Sequence, residues 1–265
     1  MRTLVLLTPL AALSLWGADP NPPIVLSAAS AQAGIAPDSL ASIYGDQLDS
    51  QTQAAGNPPW PTNLGDMPGV FVVDSAGERH DASLIFVSPS QMNIWIPAGT
   101  ALGPAMVEFP VSGLPLGEGA AALRIVPVNI QKVAPGIFTA DASGSGVVAA
   151  TAVRVNADGS QFPVQVFGCS QQYTCSATPI DTGIDTPIYL SLYGTGIRGA
   201  SSLANVSVTI GTLTLPATYA GPQPSIPGLD QVNVLLPITL RGAGLVNIAV
   251  TVDSVTSNTG QIAIQ

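Results

Sequence analysis

The segment VSVTI, residues 206–210, puts Val206, Val208 and Ile210 on one side of an extended chain and Ser207 and Thr209 on the other. Side chains of a strand alternate between faces, so a strict period of two specifies a half-buried β-strand and excludes an amphipathic helix at the same place. The pattern recurs in VNIAVTV (246–252), in VFVVD from Val70 and in QIAIQ (261–265). Gly, Pro or Asn interrupts it at intervals of about 8–12 residues, the strand spacing of a sandwich or barrel. No stretch sustains a 3.6-residue period. Asp158-Gly159, between AVRVN and QFPVQVF, is a hairpin turn, because Gly accepts the positive φ that such a turn demands. Ser75-Ala76-Gly77 and Gly211-Thr212 mark two more turns. The expected fold class is all-β.

Part of the pattern is written twice. LASIYGDQL (40–48) matches YLSLYGTGI (189–197), aligning Tyr44-Gly45 with Tyr193-Gly194 at an offset of 149 residues (194 − 45). QMNIWIP (91–97) matches QVNVLLP (231–237) at an offset of 140 (231 − 91). Each Gln-x-Asn strand is followed by Pro, a Gly turn and another apolar strand, GPAMVEF in one copy and GLVNIAVTV in the other. A shared order of elements indicates two copies of one β-sandwich. Met92, Ile94 and Ile96, like Val232, Val234 and Leu236, are the expected core faces, opposite Gln91/Asn93 and Gln231/Asn233. The amides are expected to bond exposed backbone at a sheet edge, with a sugar-binding row as the other reading. Gly45 and Gly194 are expected at positive φ or at a close backbone approach.

The N-terminal residues read as a leader rather than as fold. Arg2 precedes the apolar run LVLLTPLAALSLW (4–16), which is too short to span a membrane as a helix. Ala12-Leu13-Ser14 fits the small-x-small cleavage rule and Ala18 is an alternative. The expected organisation is a signal peptide over 1–18, a first sandwich over 19–134, and a second over 135–265 with an N-terminal hairpin extension and a disulfide loop. No Cys follows the apolar run to take a lipid, and no later segment is long and apolar enough for a spanning helix. The expected location is extracellular or periplasmic. Cys169 and Cys175 bracket SQQYT, and in an exported protein such a pair is most simply a disulfide. Closing this ring restricts the unfolded chain by roughly 2 kcal/mol.

Composition removes several classes of partner. The formal charge is −9 with only seven basic residues, so no basic stripe exists to displace phosphate counterions or to dock on anionic lipid. Nucleic acid is not an expected partner. Aromatic content of 5%, without girdles, argues against an outer-membrane barrel.

The segments LSAAS, IAPDSLASIYGDQL, PTNLG, FVSPSQMNIWIP, VAPGIFTADASGSG, LSLYGTGI, YAGPQPSIPGLDQVNVLLP and VTSNTG cover almost everything from Leu26 onward. Together they resemble a secreted-protein C-terminal domain family abundant in Solibacter-type soil bacteria. The resemblance implies tandem immunoglobulin-like sandwiches of the IPT/TIG type, usually attached to the end of larger exported proteins. It carries over no catalytic residue, because the family has no assigned activity. Here the paired sandwiches follow the leader directly, and the Cys169–Cys175 loop is not part of the family pattern.

The chemical inventory is thin. His80, the single histidine, sits in GERHDAS between Glu78 and Asp81, and no Gly-x-Ser-x-Gly elbow accompanies it. It reads as a solvated turn residue. Zinc would need several His or Cys ligands. The sixteen acids are scattered through turns, where they cap and solubilise, rather than paired as glycoside hydrolysis requires. DASGSG (141–146) lacks the ligand positions of an EF-hand. No catalytic residue, metal or cofactor is therefore expected. Among the aromatics, Trp60 in the rigid NPPWP loop is the candidate ligand contact. Trp95 shares a strand face with Asn93, placing it at the surface or between domains. Tyr44, Tyr173, Tyr193 and Tyr219 could extend a platform. The expected function is a non-catalytic exported interaction or adhesion module, its partner an extracellular protein or polysaccharide. The alternative is a carbohydrate-binding accessory protein that uses its loop aromatics.

Overall fold

The computed structural model describes residues 22–110, 123–183 and 186–265; the leader assigned to 1–18 lies outside the described residues. Twenty-one strands and two single-turn 3₁₀ helices make up the regular structure of the described residues, so the chain is nearly all β. The N-terminal half holds β1 (Ile24–Ser27), β2 (Leu40–Tyr44), β3 (Gln53–Ala54), β4 (Val70–Val73), β5 (Arg79–Val87), β6 (Gln91–Trp95), β7 (Gly103–Pro110) and β8 (Leu123–Ile130). They pair antiparallel in the order β1-β2-β6-β5-β4-β7-β8, with β3 on β5.

One irregularity turns this single sheet into two layers. Residues 79–82 of β5 pair with β4, residues 83–87 pair with β6, and the register slips between Leu84 and Phe86. An extra residue at such a bulge bends the strand, which lets it leave one layer and enter the other. The inner faces then close on Val72, Leu84, Met92, Ile94, Val107 and Phe109, all fully buried. Each such side chain contributes about 1.5–3 kcal/mol by leaving water.

The C-terminal half holds β9 (Gly136–Ile137), β10 (Ala150–Val155), β11 (Gln161–Val164), β12 (Phe167–Gln171), β13 (Thr174–Ala177), β14 (Ile188–Thr195), β15 (Val206–Ile210), β16 (Leu213–Pro216), β17 (Tyr219–Pro222), β18 (Asp230–Leu236), β19 (Gly244–Val252), β20 (Val255–Thr256) and β21 (Gly260–Ile264). One sheet runs β11-β10-β14-β18-β17, with β9 on β14; the other runs β16-β15-β19-β20, with β21 on β19. β12 and β13 form a separate hairpin. A second hydrophobic cluster, from Val133 to Ile264, fills the space between the sheets, and Val232, Val234 and Leu236 lie in it as the alternation predicts.

The duplication seen in the sequence is a duplication of topology. The path β1-β2-β6-β5 recurs as β10-β14-β18-β17, and β5-β4-β7-β8 recurs as β16-β15-β19-β21. The bent β5 of the first copy is broken into β16 and β17 in the second. A parallel bridge ties the last strand to an earlier segment in both halves, Ile35 to Ile130 and Ile180 to Ile264. Registers agree as well: Ser42 faces Asn93 and Tyr44 faces Gln91, as Ser191 faces Asn233 and Tyr193 faces Gln231.

One expectation about the repeated residues needs correction. β6 and β18 are interior strands, so their backbone is already paired on both sides and the amides have no sheet edge to serve. They bond across the face instead: Gln91 Nε2 donates to Asn93 Oδ1 at 2.8 Å, and Gln231 Nε2 to Asn233 Oδ1 at 2.7 Å. Gly45 and Gly194 are not at positive φ. Gly194 meets the close-approach condition, since a Cβ there would lie 2.4 Å from the Gly136 carbonyl oxygen. The turns at Gly77, Gly159 and Gly211 form, with φ of 80°, 81° and 60°.

Candidate functional site

The two halves are joined by a polar clamp. Arg198 follows β14, and its Nε donates to Asp230 Oδ1 at 2.6 Å while Nη2 donates to the Leu229 carbonyl at 2.7 Å. Its Nη1 crosses to Asp38 of the N-terminal half, whose other carboxylate oxygen accepts from Trp95 Nε1 at 2.7 Å. Asp230 is wholly buried at the start of β18 and also accepts the backbone N–H of Ile197 at 2.7 Å. Burial pushes the Asp230 carboxyl up, while Arg198 and the Ile197 N–H draw it back. Burial alone would lower the Arg198 guanidinium, but Asp230 and Asp38 raise it, so it stays charged. A buried hydroxyl completes the clamp: Thr195 Oγ1 accepts from Leu40 N at 2.8 Å and donates to the Gly228 carbonyl at 2.7 Å. Gly228, at φ +74°, has no room for a side chain, because a Cβ would come within 2.7 Å of Leu40.

Clamped in this way, the outer face of β2, β6 and β5 lies against the C-terminal half and leaves two clefts that share Ile85 as a wall. The larger, about 1100 Å³, runs between Trp60 and Trp95 on one side and the Pro-rich 222–227 loop on the other, with the Asp38–Arg198 pair at its edge. Trp60 is half-buried, and its Nε1 donates to the Gly56 carbonyl at 3.1 Å, which fixes the ring within its own loop. Trp95, expected at the surface or between domains, takes the second position. The smaller cleft, about 540 Å³, is floored by the Ser42–Gln91–Asn93 row and walled by Phe138 and Tyr173.

The disulfide Cys169–Cys175 is formed and ties β12 to β13. The structure therefore brings the disulfide hairpin and the first amide row to one cleft and Trp60 to the other. Tyr193 stands outside both, its hydroxyl 3.0 Å from that of Thr151. His80 is not the solvated turn residue expected. Its Nε2 lies 2.9 Å from Oδ2 of Asp74, a carboxylate that also accepts the N–H groups of Ala76, Glu78 and Ala101. The Ala101 N–H first, and His80 next, hold Asp74 down at about 2. Asp74, held by His80, ties the β4–β5 turn to Ala101, and His80 lines neither cleft.

No protein-family model matches the chain, and no curated protein matches it. Among the described residues no group of three or more His, Cys, Asp or Glu is placed to hold a metal ion, and no helix is long and apolar enough to cross a membrane. Sequence reasoning missed Asp38, Arg198 and the 222–227 loop as parts of a site. A signal was present in GIRG (196–199), an isolated basic residue between glycines in a chain with few cations.

Proposed function

We propose that this chain is a non-catalytic, exported interaction module: two tandem immunoglobulin-like domains of the IPT/TIG kind, over 19–134 and 135–265, that engage an extracellular partner in the Trp60 cleft. The observation that carries this reading is the clamp. Arg198, Asp38 and Thr195 hold the two halves in one arrangement, so the cleft has a set shape and ordering it costs little on binding. Its walls suit an extended protein segment. Two indoles face a proline-rich loop, and rigid aromatic and proline surfaces lose little conformational entropy in contact. Export is supported by the leader and by the disulfide, which persists in oxidising compartments.

The test uses residues 19–265 incubated with intact bacterial cells and with insoluble polysaccharides. Saturable retention on cells that trypsin treatment of the cells removes, and that Trp60→Ala weakens at least tenfold, is expected. Retention on cells that Trp60→Ala leaves unchanged would refute the reading. Retention on a polysaccharide that Trp60→Ala abolishes would replace it with the carbohydrate-accessory alternative at the same tryptophan.

A further inference from the structure

The smaller cleft has a different chemistry, and we propose that it is a separate binding site for a neutral carbohydrate. Its volume of about 540 Å³ falls in the range of small-ligand pockets. No Asp, Glu, Lys, Arg or His lines it, so a formal charge on the ligand would enter uncompensated. What lines it is hydroxyl, amide and ring.

The hydrogen bonds on the floor determine which groups face the ligand. Asn93 Oδ1 accepts twice, from Ser42 Oγ at 2.8 Å and from Gln91 Nε2 at 2.8 Å. That ties the two amides to each other, so each keeps one polar atom for a ligand. Asn93 Nδ2 is left as a donor and Gln91 Oε1 as an acceptor, side by side and without a partner among the described residues. A sugar hydroxyl both donates and accepts, and vicinal hydroxyls present this pairing at neighbouring positions. A peptide would instead seek a strand edge. β2 and β6 are interior strands with their backbone groups paired, so the floor reads a ligand through side chains alone.

Aromatic rings complete the site. Tyr44 opposes Gln91 on the neighbouring strand, and Phe138 and Tyr173 stand on the other wall. Tyr173 lies in the two-residue turn between Gln171 and Thr174, and the residue is 63% exposed. The hairpin carrying it is closed by Cys169–Cys175 and rests on the 139–142 segment, with Cys175 Sγ 3.4 Å from the Ala140 carbonyl oxygen. An exposed ring held by a covalent loop over a row of amides presents a flat apolar face to the C–H side of a sugar. The duplicate row of Ser191, Gln231 and Asn233 has the same amide bond but lies outside this cleft, which makes it an internal control.

The experiment is isothermal titration of residues 19–265 with cellohexaose, maltohexaose and chitohexaose. Saturable binding of at least one is expected, weakened tenfold or more by Asn93→Ala and by Tyr173→Ala, and changed less than twofold by Asn233→Ala. The Tyr173 side chain makes no hydrogen bond among the described residues, so its variant tests the site even where Asn93→Ala disturbs the sheet. Failure of all three oligosaccharides to bind overturns the proposal. So does binding that Tyr173→Ala leaves intact while Trp60→Ala abolishes it, since the sugar would then occupy the larger cleft. Loss of cell retention in Trp60→Ala is read independently, so the two sites stand or fall separately.

Discussion

Arg198 Nε donates to Asp230 Oδ1 at 2.6 Å, and the same guanidinium reaches Asp38 in the other half of the chain, 160 residues away. Asp230 is fully buried, so its charge depends on this one cation and on backbone N–H groups. Replacing Arg198 by Met keeps most of the volume but leaves a buried carboxylate unpaired, which costs about 3–5 kcal/mol. Guanidinium denaturation of Arg198→Met should show a loss of this size. A loss under 1 kcal/mol would mean that the clamp contributes little.

Thr195 serves both halves with one hydroxyl. In Thr195→Val the shape is kept, but the Leu40 N–H loses its acceptor and the Gly228 carbonyl its donor, a cost of about 1–3 kcal/mol. Hydrogen exchange at the Leu40 amide should quicken in this variant more than at the core amides of β6.

Asp74 makes stability depend on acid. Its folded pKa is about 2 against an ordinary value of 3.8, so the unfolded chain binds the proton more readily. The stabilisation is complete above pH 4 and is lost as pH falls towards 2. The stability gap between wild type and Asp74→Asn should be level from pH 7 to about 5 and close between 4 and 2. A gap that widened on acidification would contradict the depressed pKa.

The disulfide closes a short ring. The double variant Cys169→Ser/Cys175→Ser should lose about 2 kcal/mol from the freed unfolded chain. It should also lower affinity at the Tyr173 cleft while leaving Trp60-dependent retention unchanged.

Much of the strand layout was legible from local pattern. Val206, Val208 and Ile210 are all buried, because alternation in a strand is a local consequence of backbone geometry. The turns at Gly77, Gly159 and Gly211 were legible for a similar reason, since positive φ is a property of single residues. The amides were misread because sequence does not say whether a strand is interior or at an edge, and Gln91 and Asn93 serve each other once β6 lies between β2 and β5. His80 was misread because its partner Asp74 is itself organised by Ala101, 27 residues further on.

The sequence by itself determined the period of the strands, which face of each is apolar, the positions of the turns and the duplication that makes Gln91-x-Asn93 and Gln231-x-Asn233 equivalents. Only the tertiary structure decided what each copy of that row does. In one half it floors a cleft under Tyr173; in the other it lies outside that cleft. The difference comes from the docking of the halves, carried by Arg198, Asp38, Thr195 and Leu40 across separations of 155 and 160 residues. Those contacts are made by single polar groups with no periodicity, and the strand pattern constrains only which way a side chain points. What it meets there is set by the partner that the folded chain brings to it.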